Sequence, residues 1–283
     1  MSIHSEGVLS GKRVASLGAW LVLSGMLLLP GHGIAQLVTL TDAGSAATVD
    51  LGSSAGMNNW NVLGQNQLMQ QWFWYRTDNG IAQPINTIGG LQYQVTGNNT
   101  LDAYYQNDQL SIEIVYKLTG GGVGSGNADV AENISIVNNT GSGLNFNFYQ
   151  YSDFNLLGSG ANDTVQIFGN PGSFNYAQQT SGGTGIGEVI VAPSANHGEA
   201  AYAGQTLAKL NGTANLTLND NTDAGPGDVT WALQWGDTIG AGQEYDISKD
   251  KSLRIEVIPE PSTLALIALG AGALGLARRR KLS

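Results

Sequence analysis

Gly52-Ser53-Ser54-Ala55-Gly56 has the Gly-x-Ser-x-Gly spacing of a nucleophile elbow, in which a sharp turn exposes a serine to a histidine base. His197 is the only histidine after residue 35, so a Ser54 nucleophile would have to use it. The elbow also requires a parallel α/β sheet, and this sequence lacks that alternation of strands and helices; Ser54 is therefore expected in a loop. Asn219, Asn221, Asp223 and Asp228 crowd a segment punctuated by Gly225 and Gly227, and their side-chain oxygens are the hard ligands that calcium takes. An EF-hand loop needs glycine at its sixth position, where counting from Asn219 gives Ala224, so the segment is either an irregular calcium site or an Asx-rich turn. Calcium is the one cofactor these residues suggest. Trp72, Phe73, Trp74 and Tyr75 are consecutive; on a strand, each face receives two rings. One pair belongs in a core, and the other is either a second buried face or a glycan-stacking platform built on Trp72 or Trp74, with Trp60 able to join it. Trp231 and Trp235 share an alternating apolar face and are expected in the core. Two acids about 5 to 9 Å apart across a cleft would make a glycosidase, but nothing in the sequence selects a pair. Gly270, Gly272 and Gly275 spell a dinucleotide fingerprint with no strand before it, so that match is spurious. No catalytic residue is assigned, and a secreted hydrolase is the least favoured reading.

The elements that must position these residues read as strands. Ile112, Ile114, Tyr116 and Leu118 alternate with polar residues, as do Val229, Trp231, Leu233 and Trp235, and Leu253, Ile255 and Val257. A period of two buries one face of each strand and leaves the other wet, the pattern of antiparallel sheets. Other strand candidates are 70–76, 91–96, 133–138, 144–154, 164–168, 188–192, 199–203 and 216–218, separated by turns such as Gly120-Gly121-Gly122 and Asn211-Gly212. The one helix candidate is 57–71, where Val62, Leu63 and Met69 could share a face. The expected fold is all-β, a two-sheet antiparallel sandwich of jelly-roll type, in one domain over 36–258.

Composition narrows the function. The 283 residues include no cysteine, which excludes a disulfide framework, a thiolate metal site and a cysteine nucleophile. Residues 1–35 carry Lys12 and Arg13, an apolar run from Val14 to Leu29, Pro30, and small residues ending at Ala35, which reads as a signal peptide cut by signal peptidase. Without the two ends, 36–258 holds six cations against twenty acids, a net charge near −14. That field repels phosphate backbones, so nucleic acid is not an expected partner.

The other end reads Pro259-Glu260-Pro261, then an uncharged run from Thr263 to Ala277, then Arg278-Arg279-Arg280-Lys281. Fifteen residues rise roughly 22 Å as a helix, short of a ~30 Å hydrocarbon core, so this single transmembrane helix is a marginal anchor. The terminal cations form a membrane stop that keeps this end cytoplasmic and everything before Pro259 outside. The two prolines leave the triplet extended and open to a protease. Residues 259–283 resemble the PEP-CTERM sorting signal of Gram-negative bacteria, and parts of the body, such as 145–154, 225–231 and 248–251, are similar to segments of exported proteins that carry it. The resemblance implies that an exosortase in the inner membrane, a transient partner, cuts near Pro259, Glu260 and Pro261. It also implies delivery to the cell surface or extracellular matrix, in contact with exopolysaccharide of a biofilm, and a non-enzymatic role. The alternative is a secreted carbohydrate-binding module.

Overall fold

Alternating burial and tight turns give residues 36–256 a β architecture. These are the residues that the computed structural model describes; the expected signal peptide, 1–35, and the sorting segment, 259–283, lie outside the described residues. The first strands are β1 (Leu37–Asp42), β2 (Ser45–Asp50), β3 (Gly56–Val62), the two-residue β4 (Gln65–Asn66), β5 (Leu68–Thr77) and the two-residue β6 (Gln83–Pro84). Next come β7 (Gln92–Thr96), β8 (Thr100–Gln106), β9 (Leu110–Gly120), β10 (Asn127–Asn138) and β11 (Leu144–Phe154). The last third holds β12 (Asp163–Phe168), β13 (Tyr176–Ser181), β14 (Thr184–Ala192), β15 (His197–Tyr202), a short helix α1 (Gln205–Gly212), β16 (Asp223–Gly227), β17 (Val229–Ile239) and β18 (Glu244–Arg254).

Two sheets result. The first has the order β1-β2-β3-β5-β11-β17-β15, with β4 on β3 and β6 on β5; the second runs β16-β12-β13-β14-β18-β10-β9-β8-β7. All pairs are antiparallel except a short parallel contact between β3 and β5 at Gln71. The sandwich expectation holds at this level, while the jelly-roll detail gives way. A jelly roll winds eight strands into two Greek keys, whereas each sheet here has nine strands. The second is two hairpin meanders, β7 to β10 and β12 to β14, joined through β18, with β16 added at the edge beside β12. Short Gly- and Asn-rich turns favour such sequential pairing over long crossovers.

Alternation sets the core. Along β9, Leu110, Ile112, Ile114, Tyr116 and Leu118 are buried, and each such side chain contributes roughly 1.5–3 kcal/mol. The inner face also holds five charged side chains, Glu132, Asp163, Glu188, Lys249 and Lys251. In the first sheet, β5, β11 and β17 are buried on both faces. Phe73 faces the second sheet, with the Lys249 Nζ 4.9 Å from its ring centroid. Trp74, on the opposite face, meets Tyr151 edge to face and donates its indole N–H to Asn211 Oδ1 at the end of α1. Tyr149 on that face donates to the Leu216 carbonyl, so α1 and the irregular segment 213–222 roof the sheet. Residues 216–218, expected as a strand, serve in that roof, where Leu216 and Leu218 are buried.

The helix expected over 57–71 is not formed. Those residues make β3, β4 and the start of β5, because Leu63 and Gly64 take positive φ values of 55° and 80°. Val62 pairs with Gln65 across them, a two-residue hairpin turn whose twist matches the strands.

Candidate functional site

The residues singled out by the sequence do not converge. Strand pairing carries Gly56 to Gln71, Gln71 to Ser152, Ser152 to Trp231 and Trp231 to Ala200. The Ser54 turn and His197 on β15 are therefore four interstrand spacings apart, roughly 19 Å, and cannot form a nucleophile–base pair. The His197 Nδ1 instead lies 3.1 Å from both carboxylate oxygens of Asp220, and Asp220 Oδ1 also accepts the Gly198 N–H. This fastens the roof segment to β15. The Trp72 and Trp74 indoles are buried, so neither forms an exposed glycan platform; Trp72 donates to Asn86 Oδ1 and lies edge-on to Tyr105. One exposed, glycan-stacking face was the alternative for β5, and burial of both faces decides against it.

The expected calcium ligands are engaged locally. Asn219 Oδ1 accepts the Asn221 N–H, the Asn221 amide donates to the Ala200 and Asp223 carbonyls, and Asp223 Oδ2 accepts the Thr222 hydroxyl. The first of these closes an Asx turn, and the Asn221 bond to Ala200 ties that turn to β15. Among the described residues, no group of three or more His, Asp or Glu side chains is placed to hold a metal ion.

A different surface is concave. On the outer face of the second sheet, three rungs cross β12, β13, β14 and β18: Thr164-Thr180-Gly185-Arg254, Gln166-Gln178-Gly187-Ser252 and Phe168-Tyr176-Val189-Asp250. Glycines at 185 and 187 remove two side chains from the middle of this field and leave a trough of about 520 Å³ between β13 and β18. A second cleft of about 360 Å³ adjoins it between β13 and β16, sharing Gln178 and Thr180. The Tyr176 ring leans over Gly187, where a Cβ would sit 2.5 Å from its hydroxyl, and packs 5.4 Å from Phe168. At the other end, Arg254 and Glu256 flank the Gly182-Gly183 turn. The field offers hydroxyls, primary amides, one guanidinium and an aromatic edge, the mixture that satisfies polar groups around a partly apolar ring. Sequence reading missed it because polar outward positions on a strand look like any wet face; the signal was the Gly-x-Gly at 185 and 187 beside Tyr176.

Such an architecture, two large antiparallel sheets face to face, defines an all-β sandwich. It is similar to a putative aldose 1-epimerase from Escherichia coli K12, with a TM-score of 0.53 and 11% identity over 79% of this chain and 100% of that one. The Slr1438 protein from Synechocystis sp. PCC 6803 gives a TM-score of 0.54 and 9% identity over 83% of this chain and 100% of that one. A bacterial glucoamylase complexed with acarbose gives 0.53 and 8% over 85% of this chain, which spans only 36% of that protein. At these identities the likeness is one of fold. No curated protein matches the sequence. The terminus is specific: residues 257–281 match the PEP-CTERM protein-sorting motif, and the chain carries that motif directly after the last described residue, Glu256.

Proposed function

We propose that this chain is an exported, non-enzymatic protein of the cell surface or extracellular matrix, delivered through its signal peptide and cut by exosortase at Pro259-Glu260-Pro261. The sorting motif at 257–281 carries the reading. It follows β18 by two residues, so cleavage there would free the sandwich with its sheets complete. Arg278, Arg279, Arg280 and Lys281 would stop transfer on the cytoplasmic side. Mass spectrometry of the C-terminus tests this. A terminus near Pro259 in the extracellular fraction, lost in a strain without exosortase, is the expected result; intact chain inside cells would overturn it.

The outer-face trough supports a second role, binding of a neutral exopolysaccharide segment. Sugar rings present axial C–H faces to aromatic rings and equatorial hydroxyls to amides, and Tyr176, Gln178, Thr180 and Ser252 offer both partners along one strip. Retention of the purified protein on dextran or cellulose measures it. Replacing Tyr176 with Ala should lower affinity about tenfold, the effect of one ring contact; unchanged retention would remove the role.

A further inference from the structure

Glu132 on β10, Glu188 on β14 and Lys249 and Lys251 on β18 lie on the inner face of the second sheet with no solvent exposure of any of the four side chains. Register sets them in two facing couples: Glu132 directly opposite Lys249 and Glu188 directly opposite Lys251. Buried charges are retained only where geometry and hydrogen bonding compensate the loss of water. Here that compensation is lopsided. Both lysines converge on the same oxygen, Glu132 Oε2, with Lys249 Nζ in direct contact and Lys251 Nζ at 2.5 Å. Glu132 Oε1 has no hydrogen-bond partner. Glu188 is anchored from the other sheet, its Oε2 accepting from the Gln150 amide at 2.6 Å and the Trp231 indole at 3.1 Å. That leaves its Oε1 3.3 Å from Lys249 Nζ and 3.4 Å from Lys251 Nζ. The Lys249 amine sits under the Phe73 ring in a dry core.

We propose that Lys249 Nζ and Glu132 Cδ are joined by an intramolecular amide, formed in the folded core with Glu188 as proton carrier. Proton transfer from the Lys249 ammonium to the Glu132 carboxylate gives an amine and an acid, and a low-dielectric site favours the uncharged couple. Burial first, and the neighbouring Lys251 charge second, hold the Lys249 ammonium well below its ordinary range. The Nζ lone pair then adds to Glu132 Cδ, and the oxyanion that develops faces the Lys251 ammonium. Glu188 Oε1 takes the proton released from Nζ and returns it to the Glu132 hydroxyl. The C–O bond breaks, water departs, and the amide remains. Nothing is oxidised or reduced, and one water is the sole by-product. The product removes two of the four buried charges, leaves Lys251 facing Glu188 alone, and ties β10 to β18 across 117 residues of chain. It would hold the exported body together where no cysteine is available for a disulfide.

Peptide mapping of the full-length protein, denatured and digested with trypsin, tests this whatever happens at the chain ends. Cleavage after Lys117, Lys209 and Lys251 should yield one branched species joining 118–209 to 210–251, one water lighter than the two peptides together, uncut after Lys249, and told from the equally heavy linear 118–251 by its two N-terminal sequences, Leu118-Thr119 and Leu210-Asn211. In Glu132→Gln the same branch should form with loss of ammonia. In Glu188→Gln, folded by circular dichroism, the two peptides should separate. Recovery of 118–209 and 210–249 as separate unmodified peptides from the folded wild-type protein would overturn the cross-link. A branch that forms equally well in Glu188→Gln would overturn the role given to Glu188.

Discussion

Asp153, near the end of β11, shows how one carboxyl registers its surroundings. Its Oδ2 accepts the Tyr151 hydroxyl at 3.3 Å, while its Oδ1 is buried without a partner. Burial, and then the nearby Asp228 charge, push its pKa up to about 6. A pKa raised on folding means the folded state holds the proton more tightly than the unfolded one. The associated stability is therefore present below about pH 4 and is lost as pH rises through about 6. Asp153→Asn keeps the shape without the charge and should stabilise the protein by about 2 kcal/mol at pH 8, with no change at pH 4. Thermal melts across that range measure it; equal shifts at both pH values would contradict the assigned cause. The same scale explains why Trp72 and Trp74 read ambiguously. Four adjacent rings on a strand fit a platform or a doubly covered core, and contacts such as the Trp74–Asn211 bond and the Tyr149–Leu216 bond, with partners far along the chain, distinguish them.

Among the elements, strand β11 was expected with its observed bounds, 144–154, because its alternation is long and its flanks are turn residues. The β3–β4 hairpin was not, because its turn places a leucine where glycine or asparagine ordinarily signals the turn. Leu63 holds φ 55° with a half-exposed side chain, so Leu63→Gly should stabilise the protein by about 1 kcal/mol by removing the left-handed strain. Urea unfolding checks this, a lowered midpoint being the contrary result. The trough on the outer face depends on β14, whose Gly185 and Gly187 sit between Thr180 and Gln178 on one side and Arg254 and Ser252 on the other. Strands β13 and β16 escaped sequence reading because they are short and rich in Gln, Gly and Pro, so they carry little apolar period.

At the scale of the whole molecule, charge and topology act together. A body near −14 repels polyanions at distances up to a Debye length, so the purified protein should be retained less on alginate than on dextran in dilute buffer. Added salt should narrow the gap, and affinity electrophoresis with each polymer reads it; stronger retention on alginate at low salt would argue against a field of this sign. The sequence by itself determined the all-β class, the acidic body and the sorting motif, because each is written in local order: a period of two, a count of charges, a triplet followed by an apolar run and cations. Only tertiary structure decided that the tryptophans are roofed over, that Ser54 and His197 stand apart, and that Glu132, Glu188, Lys249 and Lys251 share one dry chamber. Those outcomes depend on which strands become neighbours, a property set by long-range packing of both sheets and invisible to any window of sequence.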